Sequence, residues 1–284
     1  QEYMDPARKK TLSPTALGTY IRCPLKFFYK HVLSLKEPAE ITEESDSLHI
    51  GNILHTVLEN LYRPYIGKTV DKEGLLHMIQ PGKSFRNLVS GVTEEYLQKK
   101  GREGIHIEPG RQVLFSEVAG LYAGRFIRYD AEQAPLHLLA VEKKFRCLYG
   151  KTVISGIIDR IDTRNGDLFL VDYKTGSEKN SFSRVEDLFD PQLSAKNGDA
   201  FQILCYVFLY GQTFTSDGLP LPLLYYMNSP FSRKTTGKIR YNRANLNNRQ
   251  DLAEIEEQFL ALLSNLLEEL FNFNIPFKQT DFVD

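Results

Sequence analysis

Three ionisable residues, Asp159, Asp172 and Lys174, sit in two runs rich in Ile, Leu, Val, Phe and Tyr, GIIDRIDTR and DLFLVDYK, joined at Asn165-Gly166. Asn-Gly between such runs is the strongest short signal for a β-hairpin with a two-residue turn. That turn sets Asp159 directly across from Asp172. Side chains alternate along a strand, so Lys174 and the apolar Ile157, Ile161, Leu168 and Leu170 share the face of the two acids. Directly opposed Cβ atoms lie roughly 4.5–5.5 Å apart, where like charges are destabilising. Burying unpaired carboxylates among aliphatics is worse still. A hard divalent cation resolves the conflict, since Mg²⁺ is typically held by one or two carboxylates at about 2.0–2.1 Å and keeps several waters. The hairpin thus predicts a metal site, on condition that the loop has two residues; a three- or five-residue loop would break the register. The bland alternatives are an exposed hairpin face for the acids and a salt bridge from Lys174 to Asp172 or Glu142. Arg160 points to the opposite face and is expected to pair structurally with Asp162 or another acid.

Other polar residues are placed by the elements around this hairpin. Ser13-Pro14 reads as an N-cap with proline at the first helical position, opening a helix to about Leu35 that Pro24 should kink or split. Residues 36–47 read as an exposed acidic loop, and a helix at about 48–63 follows, with His55 and Glu59 one turn apart. From Asp71 to about Ala134 the pattern stays helical, broken at Pro81-Gly82, Gly101 to Gly104 and Pro109-Gly110. HLLAVEKKFRC then alternates towards strand and carries Glu142; with the hairpin it makes a three-strand meander. Residues 177–199 read as a loop or short helix. Residues 200–210 form a buried helix with Gln202 and Tyr206 at i and i+4, where two polar groups on an apolar helix need partners. A strand at 221–228, a basic polar stretch, a possible strand near Lys238 to Tyr241 and an amphipathic helix at 249–272 complete the chain.

With 284 residues, 42% hydrophobic and 25% charged, core size is not limiting, and no run is apolar enough to span a membrane. QEYMDPARKK lacks a leader's apolar core and an initiator Met, which reads as a fragment or processed product. Cys23, Cys147 and Cys205 are few, odd in number and far apart, as expected of a reducing compartment, the cytoplasm. The net charge of -1 does not advertise a nucleic-acid binder, yet basic residues bunch at Arg8-Lys9-Lys10, Lys143-Lys144 and Arg233-Lys234. Each cluster is either a solvated face or part of a local positive groove.

The order helix, three antiparallel strands, helix, strand, with GIIDRID, LVDYKTG and a QxxxY at Gln202 and Tyr206, resembles the core of the PD-(D/E)xK nuclease superfamily. GNILHTVLE looks like the GxxxHxxxE element of its RecB-like branch, and LSPTALGTYIRCPLKFFYKHVL resembles the start of the AddB-type nuclease modules found in AddAB-type helicase-nucleases. The likeness spans about residues 11–277. It implies an α/β, restriction-endonuclease-like domain over 1–284: a mainly helical part at about 11–135, the catalytic sheet and helix at about 136–242, and the C-terminal helix at about 249–272.

The resemblance further implies a DNA nuclease dependent on Mg²⁺ or Mn²⁺, exonuclease before endonuclease, working on single strands or ends with a helicase partner subunit or fused helicase. Asp159 and Asp172 would be metal ligands with the Tyr173 carbonyl, and Lys174 would hold the attacking water or stabilise the phosphorane. His55 would add an imidazole, which favours Mn²⁺. Glu142 would reach the metal directly or through water, or else is an ordinary surface glutamate. Glu59 would orient His55 or make a surface pair; Gln202 and Tyr206 would touch DNA phosphate or Lys174, or simply satisfy each other in the core. Relatives of this type often hold an iron-sulfur cluster with a cysteine matching Cys23 and three more beyond the last helix. Those three are not in this chain, so it is not expected to build the cluster alone: either the chain is truncated just before them and Cys23 is a lone ligand, or Cys23 is packed in the core, the reading favoured from the chain alone. A CRISPR-adaptation nuclease and a non-catalytic binding module on the same fold are the alternatives.

Overall fold

The computed structural model describes residues 10–35, 43–80, 82–103, 108–214, 218–227, 237–246 and 248–280. Arg8-Lys9, Pro81, Arg233-Lys234 and most of the expected basic stretch lie outside them.

Helices α1 (Pro14–Arg22), α2 (Pro24–Phe27), α3 (Glu43–Tyr62), α4 (Lys72–Met78), α5 (Lys83–Arg102) and α6 (Pro109–Glu132) precede the long strands of the main sheet. The Ser13 hydroxyl accepts from Ala16 N at 3.0 Å, capping α1, and Pro24 splits the first helical run as its missing N–H requires. A π-helical turn, Phe28–Val32, continues α2 and has no sequence signal we can identify. Residues 43–47, expected as the end of an exposed loop, are instead the first turns of α3. Pro109-Gly110, expected as a break, opens α6, where proline at the first position loses no helical hydrogen bond.

The sheet is built from β1 (Thr69–Val70), β2 (Leu136–Tyr149), β3 (Thr152–Arg164), β4 (Asp167–Lys174) and β6 (Leu221–Tyr226), in the order β1-β2-β3-β4-β6. All neighbours are antiparallel except β4 and β6. The parallel pair needs a crossover. It runs through β5 (Ser181–Phe182), a 3₁₀ turn at Val185–Phe189 and α7 (Ser194–Phe214), all longer and more structured than the loop and short helix expected. β5, β7 (Arg240–Tyr241) and β8 (Ala244–Asn245) form a second small sheet, and α8 (Arg249–Leu270) closes the chain.

Two apolar cores lie on the two faces of the main sheet. One joins α1, α7 and α8 to Ile154, Ile158, Ile161 and Leu170. The other joins α3 to α6 with Val141, Val171, Tyr173 and Tyr225. This is the mixed α/β architecture of a restriction-endonuclease-like core, with an N-terminal helical elaboration.

Candidate metal centre

The hairpin register is that of a two-residue turn: Arg164 pairs with Asp167, Ile161 with Leu170 and Arg160 with Val171. Asn165 and Gly166 have φ of 50° and 87°, the left-handed values that such a turn demands. One step further, where Asp159 meets Asp172, the ladder stops. The Asp159 carboxylate takes over a backbone role and accepts from Tyr173 N at 2.7 Å. The strands part here and open a site.

The next strand is irregular at the same level. Val141 pairs with Arg160 and Lys143 with Ile158, which sets Glu142 across from Asp159, and Glu142 has φ 47°, uncommon and strained for a residue with a side chain. Ile154, Ile158 and Ile161 all enter one core, so strict alternation slips once between Ile158 and Ile161. Ile157, expected to be buried beside the acids, is consequently 43% exposed.

His55 comes from α3. Gly51, one turn earlier, lies against Thr175, whose methyl would overlap any Cβ there, so glycine lets the helix approach the end of β4. His55 Nε2 then stands 3.0 Å from the Tyr173 carbonyl oxygen and Nδ1 3.4 Å from Asp159 Oδ1. Ligand atoms of His55, Glu142 and Asp159 all fall within 4.8 Å of one another. Glu59 turns away into a surface ion pair with Arg63.

Lys174 Nζ lies 2.8 Å from Asp172 Oδ2, an oblique contact that leaves this buried oxygen without a hydrogen bond. Nζ donates to Gln202 Oε1 at 2.8 Å, while Gln202 Nε2 donates to the Tyr206 hydroxyl at 3.1 Å and reaches Asp172 Oδ1 at 3.5 Å. The Tyr206 ring fits against Gly156, where a Cβ would come within 2.6 Å of it. Gln202 and Tyr206 thus meet Lys174, Asp172 and each other. Asp199, one turn before Gln202, stands 4.0 Å from Lys174 Nζ and accepts from the Tyr226 hydroxyl at 2.9 Å. No motif marks Asp199; its i, i+3 spacing to Gln202 is the one hint that the sequence offers.

The electrostatics are unbalanced. Burial first, and then the Asp159 carboxylate, push Glu142 up to about 7. Burial pushes Asp172 up to about 6 against the pull of Lys174. Burial works to lower His55, but Asp159 beside it prevails and lifts it to about 9. One imidazole and several carboxylate oxygens, crowded and short of positive charge, make a donor set suited to a divalent cation.

The other face of the same hairpin is closed and balanced. Arg160, fully buried, donates from Nε to Asp162 at 2.8 Å, from Nη1 to Asp130 at 2.6 Å and to the Tyr173 hydroxyl at 3.0 Å, and lies 4.5 Å over the Tyr62 ring. Arg164 joins Asp162 at 2.7 Å and Asp130 at 3.0 Å. The expected Arg160–Asp162 pair is present; Asp130, from α6, completes it.

Cys23 is buried, but less as core filling than as a cap: its Sγ accepts from Lys26 N at 3.4 Å at the start of α2. Burial acts to raise its pKa, yet donors from Thr280, Lys26 and Leu25 outweigh it and hold the thiol below its usual value.

A cleft of about 430 Å³ opens over the centre between α3 and α5, lined by His55, Glu142, Tyr173, Lys174, Tyr96 and Lys99 among others. No helix among the described residues is long and apolar enough to cross a membrane.

A family model described as the PD-(D/E)XK nuclease superfamily matches residues 11–281. The chain is 29% identical over 192 residues to the B component of an ATP-dependent helicase/deoxyribonuclease of Carboxydothermus hydrogenoformans, covering 62% of this chain and 17% of that protein. A component of the same name from Streptococcus equi subsp. zooepidemicus is 25% identical over 187 residues, 64% of this chain and 16% of the relative. An uncharacterised protein of Rickettsia conorii is 25% identical over 195 residues, 62% and 20% respectively. The chain therefore spans a fifth or less of these relatives' length.

Proposed function

Because the chain belongs to the PD-(D/E)XK nuclease superfamily, we propose that it hydrolyses DNA phosphodiesters with Mg²⁺ or Mn²⁺ held by His55, Glu142, Asp159 and Asp172 together with the Tyr173 carbonyl. The carrying observation is the convergence of His55, Glu142 and Asp159 within 4.8 Å, beside a buried Asp172 oxygen met only obliquely by the Lys174 ammonium. A divalent ion there supplies charge stabilisation for the phosphoryl oxygens and an activated water. The imidazole tips the preference towards Mn²⁺. Lys174, a compact cation with three donors, holds the attacking water or the developing phosphorane charge. Gln202 aims the lysine from one side, and Tyr206 fixes Gln202. Residues 11–281 act as one nuclease domain.

We further place this domain beside a helicase, as the relatives' names suggest, acting on single strands or ends as an exonuclease. Buried, unpaired Cys23, Cys147 and Cys205 fit a reducing cytoplasm. Incubation with linear single- and double-stranded DNA and either metal tests the activity: cleavage is expected, falling by roughly 10²–10³-fold in Lys174→Ala, the scale of losing one preorganised charge-stabilising donor. Equal cleavage by wild type and Lys174→Ala would sink the assignment. For the partner, ATP-stimulated digestion by the full-length native protein is expected; digestion indifferent to ATP would argue against a helicase.

A further inference from the structure

Residues 143–158, KKFRCLYGKTVISGII, hold four basic side chains and no acid, in a chain of net charge -1. They are the far half of the β2–β3 hairpin. β4 pairs with β3 only as far as Arg160, so this half runs on past the sheet, with Thr11 and Leu12 lying beside it (Leu12 N to Val153 O, 3.0 Å; Ser155 N to Leu12 O, 2.8 Å). Phe145, Cys147, Ile154 and Ile158 enter the α7-side core. The register pairs Lys144 with Ile157 and Arg146 with Ser155, which puts both cations on the opposite face, exposed, with the exposed Ile157 beside Lys144.

Several surface cations of the fold have carboxylate partners, among them Lys100 with Glu103, Arg111 with Asp46, Arg184 with Asp187, Arg240 with Glu178 and Arg249 with Asp167, while isolated ones such as Lys72 and Lys83 have none among the described residues. What sets this hairpin apart is four basic residues and no acid in one run. Lys143, Lys144, Arg146 and Lys151 make no ion pair with any described residue. A row of uncompensated cations on an open strand face is complementary to a polyanion. Its position selects which one: Lys144 and Arg146 are successive same-side positions about 6.6 Å apart along the strand, comparable to the separation of neighbouring phosphates on one nucleic-acid strand, and Glu142 of the metal centre lies two residues before Lys144 on the same strand. The row begins at the metal centre.

We propose that Lys144 and Arg146 form a track that binds the phosphates of one DNA strand and leads it to the metal centre; the choice of DNA over an acidic protein surface rests on the nuclease reading. Anisotropy of a fluorescent single-stranded oligonucleotide, in EDTA so that nothing is cut, tests it. Counterion release at single strands gives a slope of about 0.7 per phosphate contact, so Lys144→Ala with Arg146→Ala should lower the slope of log K against log salt by about 1.4 and weaken binding roughly 25-fold at 0.1 M salt. Lys144→Arg with Arg146→Lys should bind like wild type, as should Lys72→Ala and Lys83→Ala. Mn²⁺ affinity and melting temperature should be unchanged in the double alanine variant. Wild-type affinity and slope in that variant would overturn the track, and so would absence of binding by wild type. Binding that depends on Lys144 and Arg146, by a wild type that cuts nothing with either metal, would support the track while sinking the nuclease assignment.

Discussion

The two faces of the β3–β4 hairpin bury similar numbers of charges and treat them in opposite ways. On the back, Arg160 and Arg164 meet Asp130 and Asp162 in a closed set, sealed by Tyr62, Tyr173 and Tyr225. Burial tends to raise the Asp130 pKa, but the two guanidinium groups prevail and hold it down at about 2. On the front, Glu142 and Asp172 are pushed up, and Lys174 and His55 do not balance them. Residues one apart in sequence, Asp159 and Arg160, thus belong to an open account of charge and a settled one. A settled cluster needs nothing from outside and specifies the fold; an open one is where an ion is wanted.

The largest test of that contrast is Arg160→Leu. It leaves Asp130 and Asp162 buried beside Arg164 alone, and breaking a buried ion pair destabilises by about 3–5 kcal/mol; urea unfolding should show this loss. A change under about 1 kcal/mol, the scale of an ordinary surface pair, would mean that the back cluster does not hold the hairpin.

Next comes pH. Asp172 and Glu142 have folded values raised from 3.8 to about 6 and from 4.5 to about 7, so they weaken the metal-free fold as pH rises through those values. His55, raised from 6.5 to about 9, stabilises below 6.5 and loses that contribution as pH climbs to 9. Asp130 behaves oppositely: lowered from 3.8 to about 2, it stabilises above 3.8 and stops doing so as pH falls through 2. Melting temperature without metal should therefore fall between about pH 4 and 9, and saturating Mn²⁺ should flatten the neutral and alkaline part of that fall. A metal-free curve that rises from about pH 5 to 8 would refute the imbalance.

Gly51→Ala probes how the front is assembled. Inserting a methyl where Thr175 already sits should cost about 1–3 kcal/mol, and by lifting α3 it should weaken Mn²⁺ binding; unchanged calorimetric affinity would separate His55 from the metal. The smallest effect expected is at Asp199. Asp199→Asn should lower kcat by about tenfold, the low end for a group supporting a site from outside, with KM and Mn²⁺ affinity unchanged. A fall in Mn²⁺ affinity instead would make Asp199 part of the metal centre.

How well each face can be read from the sequence follows from how local it is. Asp172 and Lys174 are two apart on one strand and Asp159 lies across one Asn-Gly turn from them, so their proximity is inferable from residues 156–174 alone, whereas the slip in alternation at Asp159 is not. Ser13 and Pro14 mark α1 through equally local chemistry. Asp130 is 30 residues from Arg160, on another element, and only tertiary packing selects it over other acids. Glu142 stays open to two readings in the sequence because its φ of 47° and the slip near Asp159 come from how the strands part, which no alternation pattern records. Asp199 escapes notice there because it acts through Lys174 and Tyr226, each on a different element. Cys23 looks like core filling because the backbone donors that cap its sulfur arrive from Lys26 and from the far end of the chain at Thr280.

The tight turn at Asn165-Gly166 also has a kinetic side. Asp159 reaches Tyr173 across 14 residues, whereas His55 reaches the same residue across 118. Closing the shorter loop loses less chain entropy, and local contacts tend to form early. The carboxylates are then forced together while the helix that brings the imidazole is still searching. Refolding without metal should accordingly be faster at about pH 5, where proton uptake relieves the pair, than at about pH 8, and stopped-flow fluorescence showing equal rates would rule that order out.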